Sequence, residues 1–306
     1  MNEIKKNERV GQYEMIAAMV ICGTIGATVL LSGQNEQSLV FYRCLFGSIV
    51  LGIICAITGK FNRNNLNLKT FSISMVGGLA LLLNWFFLFS AYSKISVGVA
   101  TTVYNIQPFI MVFLCAVIFK EKINRVIVFW LILSFLGLYF VSIGKSFKIN
   151  SGNGNYFMGI VDALIAAGLY AIASIAAKFL KNIPATLIAF LQLSAGLVLF
   201  FPFADLGLFS MPILSKEFLA TATLGIVHTG IMYIFLYGAI QKLPAFKVAS
   251  LAFLYPIIAL SIDAFFFDVR LSLAQWLGIF LILLGAAGVN LKWSLSSMKN
   301  RILGTK

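Results

Sequence analysis

The stretches VYNIQPFIMV (residues 103–112) and LAFLYPIIAL (residues 251–260) each place a proline inside an apolar run. Proline has no backbone N–H and leaves a carbonyl without its helical partner, which a membrane tolerates only where protein or water satisfies that carbonyl. Pro108 and Pro256 each lie near the middle of their run. We therefore expect both helices to break near mid-membrane and to line an interior cavity. A packing kink that binds no ligand is the alternative.

The two prolines are 148 residues apart, and this offset aligns the chain with itself without a gap. It pairs glycines, prolines and loop lysines, namely Gly11 with Gly159, Gly77 with Gly225, Lys94 with Lys242 and Pro108 with Pro256. Each unit holds five apolar runs, so the second unit enters the membrane from the opposite side. An inverted repeat of this kind is typical of secondary transporters.

Composition excludes a soluble domain, because 60% of the 306 residues are hydrophobic, 11% are charged and the mean hydropathy is +0.97. A helix needs about 20 mainly apolar residues to cross a bilayer. The sequence predicts ten such spans, at residues 14–33, 38–58, 71–91, 97–118, 125–144, 156–180, 183–204, 215–240, 244–267 and 272–292. Continuous apolar runs favour helices over barrel strands. The predicted fold is an all-α integral membrane protein with ten transmembrane helices in two inverted five-helix repeats.

The formal charge of +13 sits in the predicted loops, which argues against nucleic acid as a partner. If the N-terminus is cytoplasmic, 17 of the 23 basic residues fall in cytoplasmic segments, five fall outside and Arg43 falls within a span. The positive-inside rule therefore places both termini in the cytoplasm. The first span lacks a convincing cleavage site, so we interpret it as a retained helix rather than a signal peptide.

These boundaries predict four regions. Residues 1–13 form a cytoplasmic N-terminal tail and residues 293–306 a basic cytoplasmic C-terminal tail, while residues 14–144 and 156–292 form the two repeats. The expected location is the bacterial inner membrane. The four cysteines lie inside spans without a C-x-x-C pair or a histidine at ligand spacing, so no disulfide, metal site or cofactor is predicted.

Three stretches resemble a known family: FYRCLFGSIV with its Arg43, residues 108–122, and residues 255–290 with Arg270 and Gln275. They are similar to the EamA branch of the drug/metabolite transporter superfamily, over roughly residues 14 to 292. The resemblance implies a ten-helix transporter of small organic metabolites. The family often has a glutamate before the second loop arginine, where this chain has Val269, whereas the first repeat keeps Glu121.

Charged residues inside the spans need a partner or a role, because a charge at mid-membrane costs about 2.5–3.5 kcal/mol on insertion scales. Arg43 and Asp263 fall at similar predicted depths near the outer side. We expect an ion pair, or a shared role as a gate or substrate anchor; snorkelling of both groups is the alternative. Glu14 and Asp162 are repeat equivalents near predicted helix starts, where capping is expected and ion coupling is the alternative.

Amide, aromatic and imidazole side chains fall inside the predicted spans and form the candidate substrate site, which comprises Asn84, Trp85, Asn105, Gln107, Tyr170, His228, Tyr233 and Tyr255. This combination suits an amino acid or a related amine or nucleoside-like compound. The competing interpretation is that these aromatics only pack. His228 could accept a coupling proton or serve as a hydrogen-bonded neutral core residue.

The sequence predicts a secondary transporter that works by alternating access, and the resemblance favours export over import or exchange by the same fold. It has no G-x-x-x-x-G-K-[ST], so energy must come from the substrate gradient or from a coupling proton or other ion. An intramembrane enzyme is the less favoured alternative, because no nucleophile–base or carboxylate–metal cluster is evident. The expected partners are a small-molecule substrate and the lipid bilayer, and the expected state is a monomer or weak dimer.

Overall fold

The computed structural model describes residues 2–95, 97–143, 155–266, 271–291 and 293. Every regular element within these ranges is a helix. Ten helical segments of the described chain are long and apolar enough to cross a membrane. The predicted all-α, ten-span fold is therefore confirmed.

We number the spans α1 to α10. The first repeat contains α1 (Asn2–Gly23 and Ile25–Ser32), α2 (Glu36–Ile57), α3 (Leu68–Lys94), α4 (Val97–Tyr104 and Gln107–Ile118) and α5 (Arg125–Ile143). The second contains α6 (Asn155–Phe179), α7 (Ala185–Phe200), α8 (Lys216–Gly225, Ile226–Ile231 and Met232–Lys242), α9 (Ala245–Ala252 and Tyr255–Phe266) and α10 (Leu273–Asn290). Short 3₁₀ turns at Phe201–Phe203 and Leu206–Ser210 follow α7.

Successive spans cross in opposite directions, so all odd-numbered spans begin at the same end of the bundle. We call this end, where α1 begins and α10 ends, the terminal end. The opposite end is the far end. These names describe the bundle alone and carry no assignment to a side of the membrane.

Some helices extend beyond the apolar runs that predicted them. Helix α1 begins at Asn2, whereas the predicted first span begins at residue 14. Hydropathy detects only the part of a helix that faces lipid or core. Lys5 and Lys6 are exposed, and lysine is a good helix former, so α1 can continue into water.

The predicted capping role of Glu14 and Asp162 is wrong. Glu14 is the 13th residue of a helix that begins at Asn2, and Asp162 is the eighth residue of a helix that begins at Asn155, so both lie well inside their helices. Their carboxylates instead form ion pairs with the lysines that end the third and eighth spans. Glu14 Oε1 lies 2.5 Å from Lys242 Nζ, and Asp162 Oδ2 lies 2.5 Å from Lys94 Nζ.

Spans α4 and α9 are broken at equivalent positions. The first half of α4 ends at Tyr104 and the second begins at Gln107, while the halves of α9 end at Ala252 and begin at Tyr255. Both boundaries are related by the 148-residue offset. The two breaks therefore belong to the repeat and not to one local sequence.

Each break lies just before a proline. Pro108 is the second residue of its half-helix, and Pro256 occupies the same place in α9. A missing N–H is tolerated in a first helical turn, because that group has no helical acceptor there. In α4 a tight turn joins the halves, with the Ile106 N–H donating to the Val103 carbonyl at 3.1 Å.

Helix α8 contains a π-helical turn at Ile226–Ile231, whereas its equivalent, α3, is described as one continuous α-helix. The hydroxyl of Thr229 donates to the carbonyl of Leu224, five residues earlier, at 2.8 Å. π-Helical turns are rare and frequently occur at functional sites. This turn is therefore a departure from the repeat symmetry.

The inverted repeat is visible in paired glycine contacts. A Cβ on Gly11 of α1 would lie 2.9 Å from Cγ of Leu243, and a Cβ on Gly159 of α6 would lie 2.7 Å from Cγ2 of Ile95. Gly159 and Leu243 each follow their counterpart by 148 residues. The same close approach thus occurs once at the terminal end and once at the far end.

Helices α5 and α10 meet in a contact that maps onto itself when the repeats are exchanged. A Cβ on Gly137 would lie 2.8 Å from the backbone N of Ile282, and a Cβ on Gly285 would meet Ser134 Oγ. Gly285 is the repeat equivalent of Gly137, and Ile282 is that of Ser134. The pseudo-two-fold axis therefore passes between these two helices.

Candidate substrate-binding site

The pseudo-two-fold axis also passes beside Trp85 of α3 and Tyr233 of α8. These residues are repeat equivalents, and their rings meet edge to face with centroids 6.5 Å apart. Equivalent residues contact each other only near the axis, which in an inverted repeat lies in the plane of the membrane. The Trp85–Tyr233 pair therefore marks the middle of the bundle, and both side chains are buried.

Arg43 of α2 packs against this central pair. Its guanidinium carbon lies 4.4 Å from the centroid of the Trp85 ring, and its Nε donates to Thr229 Oγ1 at 3.0 Å. The residue is only 5% exposed. Its repeat equivalent is Leu191, so the charge has no counterpart in the second repeat.

The start of α2 is fixed by hydrogen bonds that aim Arg43 inward. The Asn35 side chain caps the helix by accepting from the Ser38 N–H at 2.9 Å. The Ser38 hydroxyl accepts from the Asp205 N–H at 2.8 Å, and the Tyr42 hydroxyl donates to the Asp205 carbonyl at 2.7 Å. Arg43 projects about 100° around the helix from Tyr42. With Tyr42 held by the α7–α8 connection, Arg43 reaches α3 and α8.

No carboxylate among the described side chains forms an ion pair with Arg43. The four ion pairs in the described chain join Lys94 with Asp162, Lys178 with Glu121, Lys242 with Glu14 and Lys247 with Glu8. Asp263 lies in α9, but its side chain lies outside the described residues, so its pairing with Arg43 stays a prediction. Arg43 is thus a buried cation whose described contacts are a hydroxyl and an aromatic face.

His228 lies in the π-helical turn beside Thr229 and faces α1. Its Nε2 lies 2.6 Å from Thr24 Oγ1, and its Nδ1 lies 3.3 Å from the Thr223 carbonyl oxygen. In the neutral ring Nδ1–H donates to the carbonyl and Nε2 is an acceptor, but the Thr24 hydroxyl also lies 2.8 Å from the Ile21 carbonyl oxygen, and its single hydrogen serves only one of these two acceptors. The π-helical turn thus directs neighbouring side chains to two spans, His228 to α1 and Thr229 to α2.

Asn84 of α3 places an unpartnered acceptor in the interior. Its amide nitrogen donates to the Ala166 carbonyl at 2.7 Å and to the Tyr104 hydroxyl at 3.3 Å, which identifies Oδ1 as the free oxygen. That oxygen is buried and has no hydrogen-bond partner among the described groups. Tyr104 in turn packs on Tyr170 with ring centroids 6.1 Å apart.

The two broken helices meet through Asn105 and Tyr255. The amide nitrogen of Asn105 donates to the Tyr255 hydroxyl at 2.8 Å and to the Thr101 carbonyl at 2.7 Å. Gln107, the repeat equivalent of Tyr255, begins the second half of α4. Its Oε1 is buried without a partner among the described groups. Amide groups therefore lie at the α4 break, and the Tyr255 phenol lies at the α9 break.

The predicted site residues fall into three contact groups. Arg43, Trp85 and Tyr233 form the first, Asn105 and Tyr255 form the second, and Asn84 contacts Tyr170 only through Tyr104. His228 contacts α1 instead of the other candidates, and no described contact joins Gln107 to them. Pro108 and Pro256 stand at the helix breaks.

Sequence reasoning missed several polar residues of the interior. Thr24 and Thr229 hold His228 and Arg43, but a threonine in an apolar span carries no distinguishing signal. Gln192 was detectable as an amide inside an apolar run, and its Oε1 accepts a hydrogen bond from the buried Tyr237 hydroxyl. Within the described ranges, no group of three His, Cys, Asp or Glu side chains could hold a metal ion.

Comparison with known proteins agrees with this architecture. The sequence pattern of the EamA-like transporter family matches residues 10–143 and 157–291. A Bacillus subtilis (strain 168) protein named "Uncharacterized transporter YxxF" is 29% identical over 283 residues, covering 92% of this chain and 90% of that protein. A solved crystal structure has the same fold, with a TM-score of 0.78, 18% identity, and coverage of 92% of this chain and 96% of the other. This chain belongs to the EamA-like transporter family and is a multi-pass membrane transporter, not an enzyme.

Proposed function

We propose that the protein is a secondary carrier that moves a small metabolite with a carboxylate group, such as an amino acid, by alternating access. The observation that carries this proposal is Arg43, a buried guanidinium stacked on Trp85 and held by Thr229. A buried cation is costly unless an opposite charge is present during part of the cycle. A substrate carboxylate supplies that charge in the planar geometry that a guanidinium favours.

Two free acceptors support a substrate that also carries N–H donors. Asn84 Oδ1 and Gln107 Oε1 are buried without hydrogen-bond partners among the described groups, and a buried acceptor without a donor costs about 1–3 kcal/mol. A substrate ammonium or amide group would remove that cost. A free amine would be repelled by Arg43, and a neutral nucleoside would leave the arginine without a counter-charge. We therefore favour zwitterionic amino acids over both.

The repeat contacts support alternating access. Gly11 packs on Leu243 at the terminal end, and Gly159 packs on Ile95 at the far end. Because these contacts are repeat equivalents, either end can open by separating its own contact while the other end stays closed and the central residues stay near the axis. The proposed site at Arg43 would then be accessible from one end at a time.

We propose export as the direction, with import or exchange by the same fold as the alternative. Direction is set by the gradients of the substrate and of any coupling ion, so it requires a separate test. Cells that express the protein should retain less labelled substrate than cells that lack it. Greater retention would indicate import.

A thermal-shift screen of the purified protein tests the substrate class. Amino acids should raise the melting temperature, because a ligand that binds only the folded state stabilises it by about 2.7 kcal/mol at 100 times its Kd. Amines and nucleosides should not. Proteoliposomes should then show counterflow of the stabilising compound, as a carrier requires.

Two arginine variants make the screen specific. Arg43→Gln should abolish the shift, whereas Arg63→Gln, at an exposed arginine in the α2–α3 connection, should keep it. Stabilisation of Arg43→Gln by an amino acid to the same extent as the wild type would contradict the proposed anchor. Stabilisation of the wild type by amines or nucleosides alone would contradict the proposed substrate class.

A further inference from the structure

All four ion pairs in the described chain join one repeat to the other. Glu14–Lys242 and its repeat equivalent Lys94–Asp162 lie at opposite ends of the bundle. These two pairs are balanced, because one closes the terminal end and the other closes the far end. The remaining two pairs both lie at the terminal end.

Glu121 and Lys178 form the more connected of these additional pairs. Glu121 Oε1 lies 2.5 Å from Lys178 Nζ, and Oε2 accepts from the Ala245 N–H at 2.8 Å. Lys178 Nζ also donates to the Leu243 carbonyl at 3.0 Å. The pair thus ties the end of α4 to the end of α6 and to the α8–α9 connection.

Glu8 and Lys247 form the second additional pair, which joins α1 to α9. Lys247 Nζ lies 2.7 Å from Glu8 Oε1, and the lysine side chain is only 4% exposed. Opening the terminal end would separate this lysine from its carboxylate. Such a separation is costly for a charge that is otherwise buried.

The far end has no charged residues at the equivalent positions. The counterparts of Glu121 and Lys178 are Val269 and Leu30, and those of Glu8 and Lys247 are Tyr156 and Val99. These four side chains carry no charge, so they form no ion pair. Among the described residues, each end thus has one ion pair of the shared type, and the two additional pairs lie at the terminal end.

We propose that Glu121–Lys178 and Glu8–Lys247 latch the terminal end, so that the substrate-free protein keeps this end closed and opens at the far end. The inference rests on the proposed alternating access, since it concerns which end opens at rest. Among the described side chains, opening the far end separates one ion pair, Lys94–Asp162, whereas opening the terminal end separates three. Closure of the terminal end is the lower-energy state.

Distances between pairs of spin labels test the latch without substrate. Labels on cysteines replacing Lys122 and Lys181 flank the terminal-end latch, and labels replacing Ser93 and Met158 flank the far-end pair; all four positions are exposed. The native cysteines are first replaced by alanine. In the otherwise wild-type protein we expect one short distance at the terminal end and both a short and a longer distance at the far end.

Neutral variants should shift these populations in opposite directions. The double variant Glu121→Gln and Lys178→Gln should raise the population with the longer terminal-end distance by roughly tenfold. The double variant Lys94→Gln and Asp162→Asn is the matched control, and it should raise only the population with the longer far-end distance. Glu8→Gln, which changes the more exposed partner of the second latch pair, should act in the same direction as the Glu121 and Lys178 variant.

The latch is overturned if the wild type populates the longer distance equally at both ends. It is also overturned if neither the Glu121 and Lys178 variant nor Glu8→Gln increases the longer distance at the terminal end. These distances need no ligand. A failed thermal-shift screen would therefore count against the proposed substrate and leave the latch standing, and an absent latch would leave the substrate proposal standing.

Discussion

Arg43 has no charged counterpart in the second repeat, although it lies beside the pseudo-two-fold axis that relates the two repeats. Its equivalent is Leu191, yet its guanidinium lies against Trp85, which contacts its own equivalent, Tyr233. A site made only of paired residues would bind a symmetric ligand best. One cation beside the axis, without a charged repeat equivalent, makes the two sides of the interior chemically different. Such an interior suits a substrate whose two ends differ.

Replacing Arg43 by lysine should reduce substrate exchange at least about tenfold, although the charge is retained. Lysine has neither the planar fork for a carboxylate nor the Nε–H that donates to Thr229. Counterflow in proteoliposomes measures the effect. Thr229→Val is the matched variant, since it removes the hydroxyl and keeps the arginine, and a smaller loss is expected. Equal exchange by Arg43→Lys and wild type would contradict the carboxylate anchor.

Two buried glutamines should respond oppositely to leucine substitution. Gln107→Leu should impair transport with little change in melting temperature, because Gln107 Oε1 has no partner to lose among the described groups. Gln192→Leu should lower stability, because it leaves the buried Tyr237 hydroxyl without its acceptor, but by less than the about 1–3 kcal/mol of a newly unpaired group, since it also removes Nε2, which is buried without a partner among the described groups. Melting temperature and counterflow on both variants check this. A destabilised Gln107→Leu with normal transport would contradict a substrate role.

At the scale of elements, the breaks in α4 and α9 were predictable and the π-helical turn in α8 was not. Pro108 and Pro256 mark the breaks because proline lacks the N–H that a continuous helix needs. No proline, insertion or gap in the repeat marks Ile226–Ile231. That turn depends on contacts of His228 with α1 and of Thr229 with α2, which only the assembled bundle provides.

The α5–α10 contact should be sensitive to a single methyl group. Gly285→Ala would place a Cβ 2.7 Å from the Trp130 carbonyl oxygen, so backbone must move, and overpacking of this kind costs about 1–3 kcal/mol. Gly26→Ala is the control, because a Cβ there has no neighbour within 4 Å. Thermal unfolding in detergent should show a lower melting temperature for Gly285→Ala only. Equal melting temperatures would indicate that the helices are not closely packed.

At the scale of the whole molecule, the charge distribution predicts that the terminal end faces the cytoplasm. A membrane-impermeant thiol reagent applied to intact cells should label Ile213→Cys, in the α7–α8 connection at the far end. It should not label Asn64→Cys, in the α2–α3 connection at the terminal end. Both positions are exposed. Labelling of Asn64→Cys alone would reverse the predicted orientation.

Sequence patterns predict the number of spans and the inverted repeat, because hydropathy and the ungapped 148-residue offset are properties of the chain itself. They predict contacts less well. The places of Glu14 and Asp162 near predicted span starts indicated helix caps, yet these carboxylates form ion pairs with Lys242 and Lys94 on other helices. Which neighbour a long side chain reaches depends on helix rotation and tilt, and these are set by packing.

The contact of Gly137 with Ile282 and of Ser134 with Gly285 is its own image under exchange of the repeats. A motion that swaps the roles of the two halves changes every contact that has a distinct image but returns this one unaltered. In the proposed alternating access, α5 and α10 would therefore keep their mutual contact in both states, while the contacts that close either end of the bundle change.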